Sequence, residues 1–328
     1  MIPSTMTAVS IEGGKGPASA LHPAQIETPT PKAGEILIKV RAAGVNRPDL
    51  LQRLGAYPPP PGAPSTLGLE VAGEVAALGE GAPRWKVGDQ VVALLGGGGY
   101  AQYAAVDARH ALPIPKGLTL EQAAGLPETV FTVFANVFEH GALKAGETLM
   151  IHGATSGIGV TAIQMAKAAG AKVIATGRSA LKSQQALELG ADIAVDVAEE
   201  DFSQIAKDAG GVDVVLDMVG GSYFAQNLAC LNHRGRIVYI ASLGGPTLEV
   251  PVIQLMLKQA VLTGSTLRAR PADEKARIAA AVEKTVWPWI EAGKIHAVVD
   301  STFPLSDAAA AHAHLEAGQH LGKVLLIA

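Results

Sequence analysis

Residues 152–159, HGATSGIG, stand directly behind the apolar run ETLMI and ahead of VTAIQMAKAAGA, which has helical spacing. No other stretch constrains the chain more. A βα turn that faces a pyrophosphate needs residues without side-chain bulk. The backbone can then approach the phosphates, and the helix N-terminus points at them. Gly153, Gly157 and Gly159 supply this, and Ser156 adds a hydroxyl donor. IHGATSGIGVTAIQMAKAAGAKVIATG reads as a complete β–turn–α–β unit, the setting that makes a glycine pattern credible. The spacing is not the usual G-x-G-x-x-G, because Ser156 stands at a glycine position. A glycine-rich turn without a ligand is the alternative.

The chain has 328 residues, too many for one typical core. Residues 1 to about 125 hold short β-branched runs between closely spaced turn signals: EILIKVRAAGV, LEVAGEVAALG, GDQVVALL and AQYAAV. This predicts a β-rich domain with a barrel-like core. AYPPPPGAP and LLGGGGYAQ read as loops. From about 128 the texture changes to strand-like runs alternating with helical ones, the sequence form of a doubly wound parallel sheet, so the fold class is α/β. After 268 come a long helix and a last strand–helix–strand, expected to return to the first domain. The expected domains are 1–127 with 268–328, and 128–267.

A net charge of −4 with 17% charged residues gives no reason to expect nucleic acid or an anionic membrane as partner. No apolar run reaches the roughly 18 residues that span a bilayer. The start, MIPSTMTAVSIEGG, lacks a basic segment followed by an apolar one, so no signal peptide and a cytoplasmic location are expected. One cysteine, Cys230, allows neither an internal disulfide nor a cysteine zinc cluster.

The second strand of the nucleotide unit ends at ATGRSALK. An NAD enzyme usually has an acid there for the ribose 2′-hydroxyl, and an NADP enzyme has cations. No acid lies between Ala175 and Ala186. Gly177 leaves room, and Arg178, Ser179 and Lys182 offer donors, which predicts NADPH over NADH. Two solvated surface cations at a helix start are the alternative. GATSGIG also fits the short-chain dehydrogenases, but their loop lies near the N-terminus and their chemistry uses Tyr-x-x-x-Lys. None of the five tyrosines here has lysine four residues on.

AAGVNRPDLLQRLGAYPPPPG, LGLEVAGEVAALGEG, WKVGDQVVAL, GGYAQYAAV, HGATSGIG and the terminal GKVLLIA together resemble the zinc-free, zeta-crystallin-like quinone oxidoreductase branch of the medium-chain dehydrogenase/reductase superfamily. The resemblance runs the whole length. It implies a GroES-like catalytic domain beside a Rossmann domain, and reduction of a quinone or small conjugated carbonyl by hydride from nicotinamide C4 in an interdomain cleft. Where zinc-dependent relatives carry a cysteine ligand, this chain has Asn46. Where they carry a histidine ligand, it has Leu69, with only Glu70 kept. A catalytic zinc needs about three protein ligands, so no metal is expected, and Asp49 and Glu70 are expected to be structural. Without a Lewis acid the acceptor must already be electrophilic.

The resemblance places Asn46, Tyr57 and Thr132 at the nicotinamide end, as catalytic and cofactor residues. Asn46 would hold the carboxamide or the substrate oxygen, and Tyr57 or water would supply a proton. A turn asparagine, a packed tyrosine and a helix-interior threonine are the alternatives. Ser156, Gly157, Ile158, Gly159, Gly177, Lys182, Ser222, Leu243, Ser265, Thr266 and Leu267 match cofactor-contacting positions of the branch, and Arg178 joins them as the other cation of the turn after the second strand. His312 and His314, two apart on a helix, cannot share a metal. His152, Trp287 and Trp289 read as packed, Cys230 as a buried inert thiol, and Arg268 and Arg270 more as interdomain salt bridges than as site residues. A homodimer through the nucleotide-binding domains is expected, with YIASLGGPTLEVPVIQLM and AVLTGSTL at the edge. An enoyl-thioester or alkenal reductase on the same fold, or a non-catalytic NADPH sensor, are the rival readings.

Overall fold

Period-two alternation sets the first strands. β1 (Thr5–Ile11) and β2 (Leu21–Glu27) pair antiparallel as a separate two-stranded ribbon. β3 (Glu35–Val45) is buried along most of its length because it is paired on both edges. One edge meets β4 (Glu70–Leu78). The other is shared, first with β6 (Tyr103–Asp107) and then, from Ala42 to Val45, with a strand from the end of the chain. Two register shifts interrupt the β3–β4 ladder, the usual means of bending a strand. β5 (Gln90–Leu94) and β7 (Ala111–Pro113) continue the sheet beyond β4. Helices in this stretch are short: α1 (Arg47–Arg53), α2 (Leu120–Ala123) and α3 (Pro127–Val133). A π-helical stretch, Phe134–His140, follows α3 directly.

The nucleotide unit comes next. Its strands are β8 (Thr148–His152), β9 (Lys172–Gly177), β10 (Ile193–Asp196), β11 (Val212–Asp217), β12 (Leu231–Tyr239) and β13 (Val261–Gly264). The helices are α4 (Gly157–Ala168), α5 (Ala180–Glu188), α6 (Phe202–Asp208), α7 (Phe224–Cys230) and α8 (Val252–Lys258). All six strands are parallel, in the order β10-β9-β8-β11-β12-β13. The order reverses between β8 and β11, the position where doubly wound sheets bind ligands.

The tail holds α9 (Ala272–Thr285), α10 (Trp287–Glu291), β14 (Val299–Pro304), α11 (Ala308–Ala317) and β15 (Lys323–Ile327). β15 pairs with β3 and β14 extends the sheet, so the tail joins the first sheet as expected. One core there gathers Ile36, Val71, Val91, Val106, Leu315 and Val324 from both ends of the pairing path. The long helix expected over 272–293 is broken at Val286, since Pro288 lacks the N–H that a continuing turn needs.

The computed structural model describes residues 1–328. It resolves into two compact units: Met1–Phe131 with Arg268–Glu291 and Ala297–Ala328, and Thr132–Leu267 with Ala292–His296. No helix is long and apolar enough to cross a membrane.

Candidate active site

In the nucleotide unit the predicted cofactor residues converge at the carboxyl ends of the parallel strands. Gly153 follows β8 with φ +74°, a conformation that favours glycine. A Cβ on Gly159 would lie 2.3 Å from the Gly153 carbonyl oxygen and 2.5 Å from that of Ala154. Only glycine lets the first turn of α4 sit so close to the loop. Ser156 is the N-cap: its Oγ accepts from the Gly159 N–H at 3.0 Å and donates to the Gly153 carbonyl at 2.8 Å. Its hydrogen is therefore spent inside the loop, which corrects the expectation of a hydroxyl donor for phosphate. The N–H groups of Gly157 and Ile158, in the first turn, have no intrahelical acceptor. They could hold a pyrophosphate.

β9 ends at Gly177. A Cβ there would fall 2.9 Å from the Lys182 Cβ, so the room left by Gly177 is filled by the first turn of α5 rather than by space for a ligand. Ser179 caps that helix. Arg178 is exposed and Lys182 half-buried. Burial, and then the neighbouring Arg178 charge, pull the Lys182 ammonium below its ordinary pKa. Two cations close together, in a turn whose sequence from 175 to 186 holds no acid, suit a dianionic phosphate.

Beyond β11 and β12 the two loops bond to each other. The Leu243 N–H donates to the Met218 carbonyl at 3.2 Å, the Gly244 N–H to Val219 at 2.6 Å and the Gly221 N–H to Gly245 at 3.0 Å. Ser222 and Leu243 stand exposed on this corner. Past β13, Ser265 donates through Oγ to Asn136 Oδ1 at 2.7 Å, and Asn136 Nδ2 donates to the Thr132 carbonyl at 2.8 Å. Thr132 and Ser265 are thus held together by one asparagine; Thr266 is exposed and Leu267 buried. His152 is packed, as expected: it bonds Thr176 Oγ1 and Asn227 Oδ1 and lies edge-on to Phe202. Cys230 is buried, and burial pushes its thiol up to about 11.

The first unit places Asn46 as the N-cap of α1. The Asn46 backbone N–H donates to Asp49 Oδ2 at 2.8 Å, one half of a capping box. Asn46 Nδ2 donates to Glu70 Oε1 at 2.9 Å, and Asn46 Oδ1 accepts from Lys323 Nζ at 2.7 Å. Lys323 also pairs with Glu70 Oε1 at 2.6 Å and reaches the Val45 carbonyl at 3.3 Å. The second Nδ2 hydrogen reaches the Gly44 carbonyl at 3.4 Å, so Asn46 has no donor to spare for a substrate oxygen; Oδ1 is the acceptor end, suited to a carboxamide N–H.

Asp49, wholly buried, accepts from the Gly68 N–H at 3.0 Å and the Tyr100 hydroxyl at 3.2 Å, and desolvation raises it to about 6. Asp49 and Glu70 are bonded within the protein, as the sequence suggested.

Tyr57 is half-buried beneath Arg268, whose Cζ lies 5.5 Å from the ring centroid. Burial, and then the charge of Glu128, raise the phenol above its ordinary pKa. Arg268 donates to the Gly96 carbonyl and Gln52 Oε1, both at 2.8 Å. Arg270 pairs with Glu274 at 3.0 Å. The Arg268 partners lie in the first unit, so its hydrogen bonds are not the interdomain salt bridge expected. Trp287 is buried against Pro113, to whose carbonyl it donates at 2.8 Å.

Two residues were missed. Lys323 lies inside the quoted GKVLLIA, but a lysine at a strand start reads as surface. Glu128 lies inside PETVF, where an acid in a first helical turn reads as a dipole partner. Only the fold brings both to Asn46.

A resident zinc does not fit. Asn46 and Leu69 replace two ligands, no group of three or more His, Cys, Asp or Glu side chains could hold a metal, and the Lys323 ammonium already sits between Asn46 and Glu70.

Residues 32–116 match the alcohol dehydrogenase GroES-like domain family and residues 157–284 the zinc-binding dehydrogenase family. The human quinone oxidoreductase is 32% identical over 98% of both chains. The structure of Escherichia coli quinone oxidoreductase complexed with NADPH superposes with a TM-score of 0.86 at 31% identity, covering 98% of this chain and 100% of that one. The CurK enoyl reductase reaches 0.86 at 28% identity, covering 99% of each. The paired domains and glycine loop define an oxidoreductase of the medium-chain dehydrogenase/reductase class. Within it, the chain belongs to the quinone oxidoreductase family.

Proposed function

We propose that this protein reduces quinones or small conjugated carbonyls with NADPH and without a metal. The observation that carries the reading is the Lys323 ammonium between Asn46 and Glu70. A cation fixed there repels a second one, and neither Asn46 nor Leu69 is a zinc ligand of the usual kind. The acceptor must then bring its own electrophilicity, as a quinone or enone does. When bound, the dinucleotide supplies the hydride from C4. The chain's residues orient and hold. The Gly157 and Ile158 N–H groups face the pyrophosphate, Arg178 and Lys182 the 2′-phosphate, with Ser222, Leu243, Ser265, Thr266 and Leu267 along the remaining loops. Asn46 Oδ1 takes the carboxamide, Thr132 borders the nicotinamide, and Tyr57 with Arg268 forms a flat surface for the acceptor. The family and the NADPH bound to the Escherichia coli relative support this reading.

The likeness to the CurK enoyl reductase favours a second reading, reduction of an enoyl thioester. A homodimer through the nucleotide units and a cytoplasmic location complete the proposal. The test is EDTA-treated protein with NADPH or NADH, following the near-ultraviolet absorbance of the reduced nicotinamide as benzoquinone, phenanthrenequinone, a short enone and an enoyl thioester are added in turn, with enzyme-free blanks. Metal-independent oxidation selective for NADPH and fastest with quinone or enone is expected. Turnover of the thioester alone favours the second reading, and NADPH binding with no turnover favours a sensor.

A further inference from the structure

Glu128 is the acid in the first turn of α3. It spends its backbone N–H on Glu70 Oε2 at 2.9 Å, the same carboxylate whose other oxygen holds Asn46 and Lys323. Its own carboxyl makes no hydrogen bond within the protein, and the residue is partly exposed. The groups facing it are Glu70 and Asp49, which oppose its ionisation, and Lys323 and Arg268, which favour it; its charge acts in turn on Tyr57 and Lys275. Desolvation and then Glu70 win, and the carboxyl is pushed up to about 8. At neutral pH it carries a proton and can donate it.

That carboxyl is only partly covered and bonds no protein group, so it is open to a ligand. It shares Glu70 with Asn46 and lies within charge range of Tyr57 and Arg268, the residues of the first unit that the reductase reading gives to the cofactor and acceptor. The Tyr57 phenol, raised above its ordinary range, is the weaker acid of the two. We propose that Glu128 is a catalytic residue, the general acid that protonates the acceptor's carbonyl oxygen as hydride arrives. This rests on the reductase reading above. The dinucleotide is oxidised as its hydride passes to the acceptor. The Glu128 O–H bond breaks, and an O–H bond forms on the acceptor oxygen that gains the charge. The resulting carboxylate takes its next proton from water.

The test measures kcat/KM of the EDTA-treated full chain with NADPH and the best acceptor across neutral to alkaline pH, for wild type, Glu128→Gln and Glu128→Asp. Dinucleotide binding is followed separately by fluorescence. In wild type, kcat/KM falls as pH rises through about 8. Glu128→Gln loses about 100-fold in kcat/KM and the alkaline limb, while dinucleotide affinity stays within about twofold. Glu128→Asp keeps the limb with part of the rate. A protonated-carboxyl infrared band present in wild type at neutral pH and absent in Glu128→Gln supports the assignment independently of turnover. A glutamine variant with wild-type rate and limb overturns it. So does one that is slow but keeps the limb, which marks a role in folding or packing. Wild-type protein that turns over no acceptor overturns the reductase reading and this assignment together, whereas an equally active variant overturns only the assignment.

Discussion

Lys323 Nζ and Glu70 Oε1 form an ion pair of 2.6 Å in which both side chains are almost completely removed from solvent. The pair ties β15, at the end of the chain, to the start of β4. Two buried charges hold each other because each also has hydrogen-bond partners: Asn46 and the Val45 carbonyl for the lysine, Asn46 and the Glu128 N–H for the glutamate. Removing one partner leaves the other charge uncompensated. Lys323→Met is therefore expected to lower stability by ~3–5 kcal/mol, measured by urea unfolding. A loss below about 1 kcal/mol, the scale of an exposed pair, would show that the pair does not form in solution.

Cofactor choice is expected to follow the turn after β9. If Arg178 and Lys182 hold the 2′-phosphate, each contributes about 1.5–3 kcal/mol as a charged hydrogen bond. Arg178→Ala and Lys182→Ala should then each raise KM for NADPH roughly 10- to 100-fold and leave KM for NADH almost unchanged. Steady-state kinetics with both dinucleotides decides it. Equal loss with both would place the cations on the shared pyrophosphate instead.

The nucleotide unit was legible because its signals are local. Gly153, Gly159 and the apolar runs on either side of them lie within one βα turn, and strand alternation set the sheet type. The return of the tail was legible from the broken alternation after residue 268. The chemistry around Asn46 was not. It joins residues 46, 70, 128 and 323, and no periodicity links positions that far apart. Ser156 misled for a related reason: a hydroxyl in a glycine loop looks available, and only coordinates show its hydrogen spent on the Gly153 carbonyl. Arg268 misled because its place near a domain boundary suggested a bridge, whereas its donors end on Gly96 and Gln52.

Beneath the site lies a directed chain of hydrogen bonds. Arg53 donates to His312 Nδ1 at 3.2 Å, which leaves the hydrogen on Nε2 for the Tyr100 oxygen at 3.1 Å, and Tyr100 donates to Asp49. Burial, and then the Arg53 charge, lower His312 from its ordinary 6.5 to about 3. Between those values the unfolded chain binds a proton that the folded one refuses, so this group costs stability as pH falls through that window, by ~1.4 kcal/mol per pH unit. Asp49 works in the opposite sense between its ordinary 3.8 and about 6, since its folded form holds the proton more tightly. His312→Gln is expected to lose about 1–3 kcal/mol at neutral pH through its two hydrogen bonds. That deficit should shrink as pH falls below 6.5 and vanish within about two units. Urea unfolding of both proteins at several pH values measures it, and a pH-independent deficit would mean that His312 takes up its proton as readily in the folded chain as in the unfolded one.

The last expectation concerns assembly. β13 is the edge of the parallel sheet, with Val261 exposed, and α8 beside it buries none of its residues. Ile253 and Leu257 are each 74% exposed and Met256 69%. A run of large apolar side chains beside an open strand edge is unfavourable in water and invites pairing. A second copy meets both needs, because a two-fold axis sets the same patch against itself. Sedimentation velocity should therefore show a dimer for the wild type. Ile253→Glu with Leu257→Glu should give a folded monomer, since two buried like charges across a two-fold axis become four. Unfolding of the wild type should also depend on protein concentration, and that of the double variant should not. A monomeric wild type at micromolar concentration would remove the dimer from the proposal and leave the site in each chain unaffected.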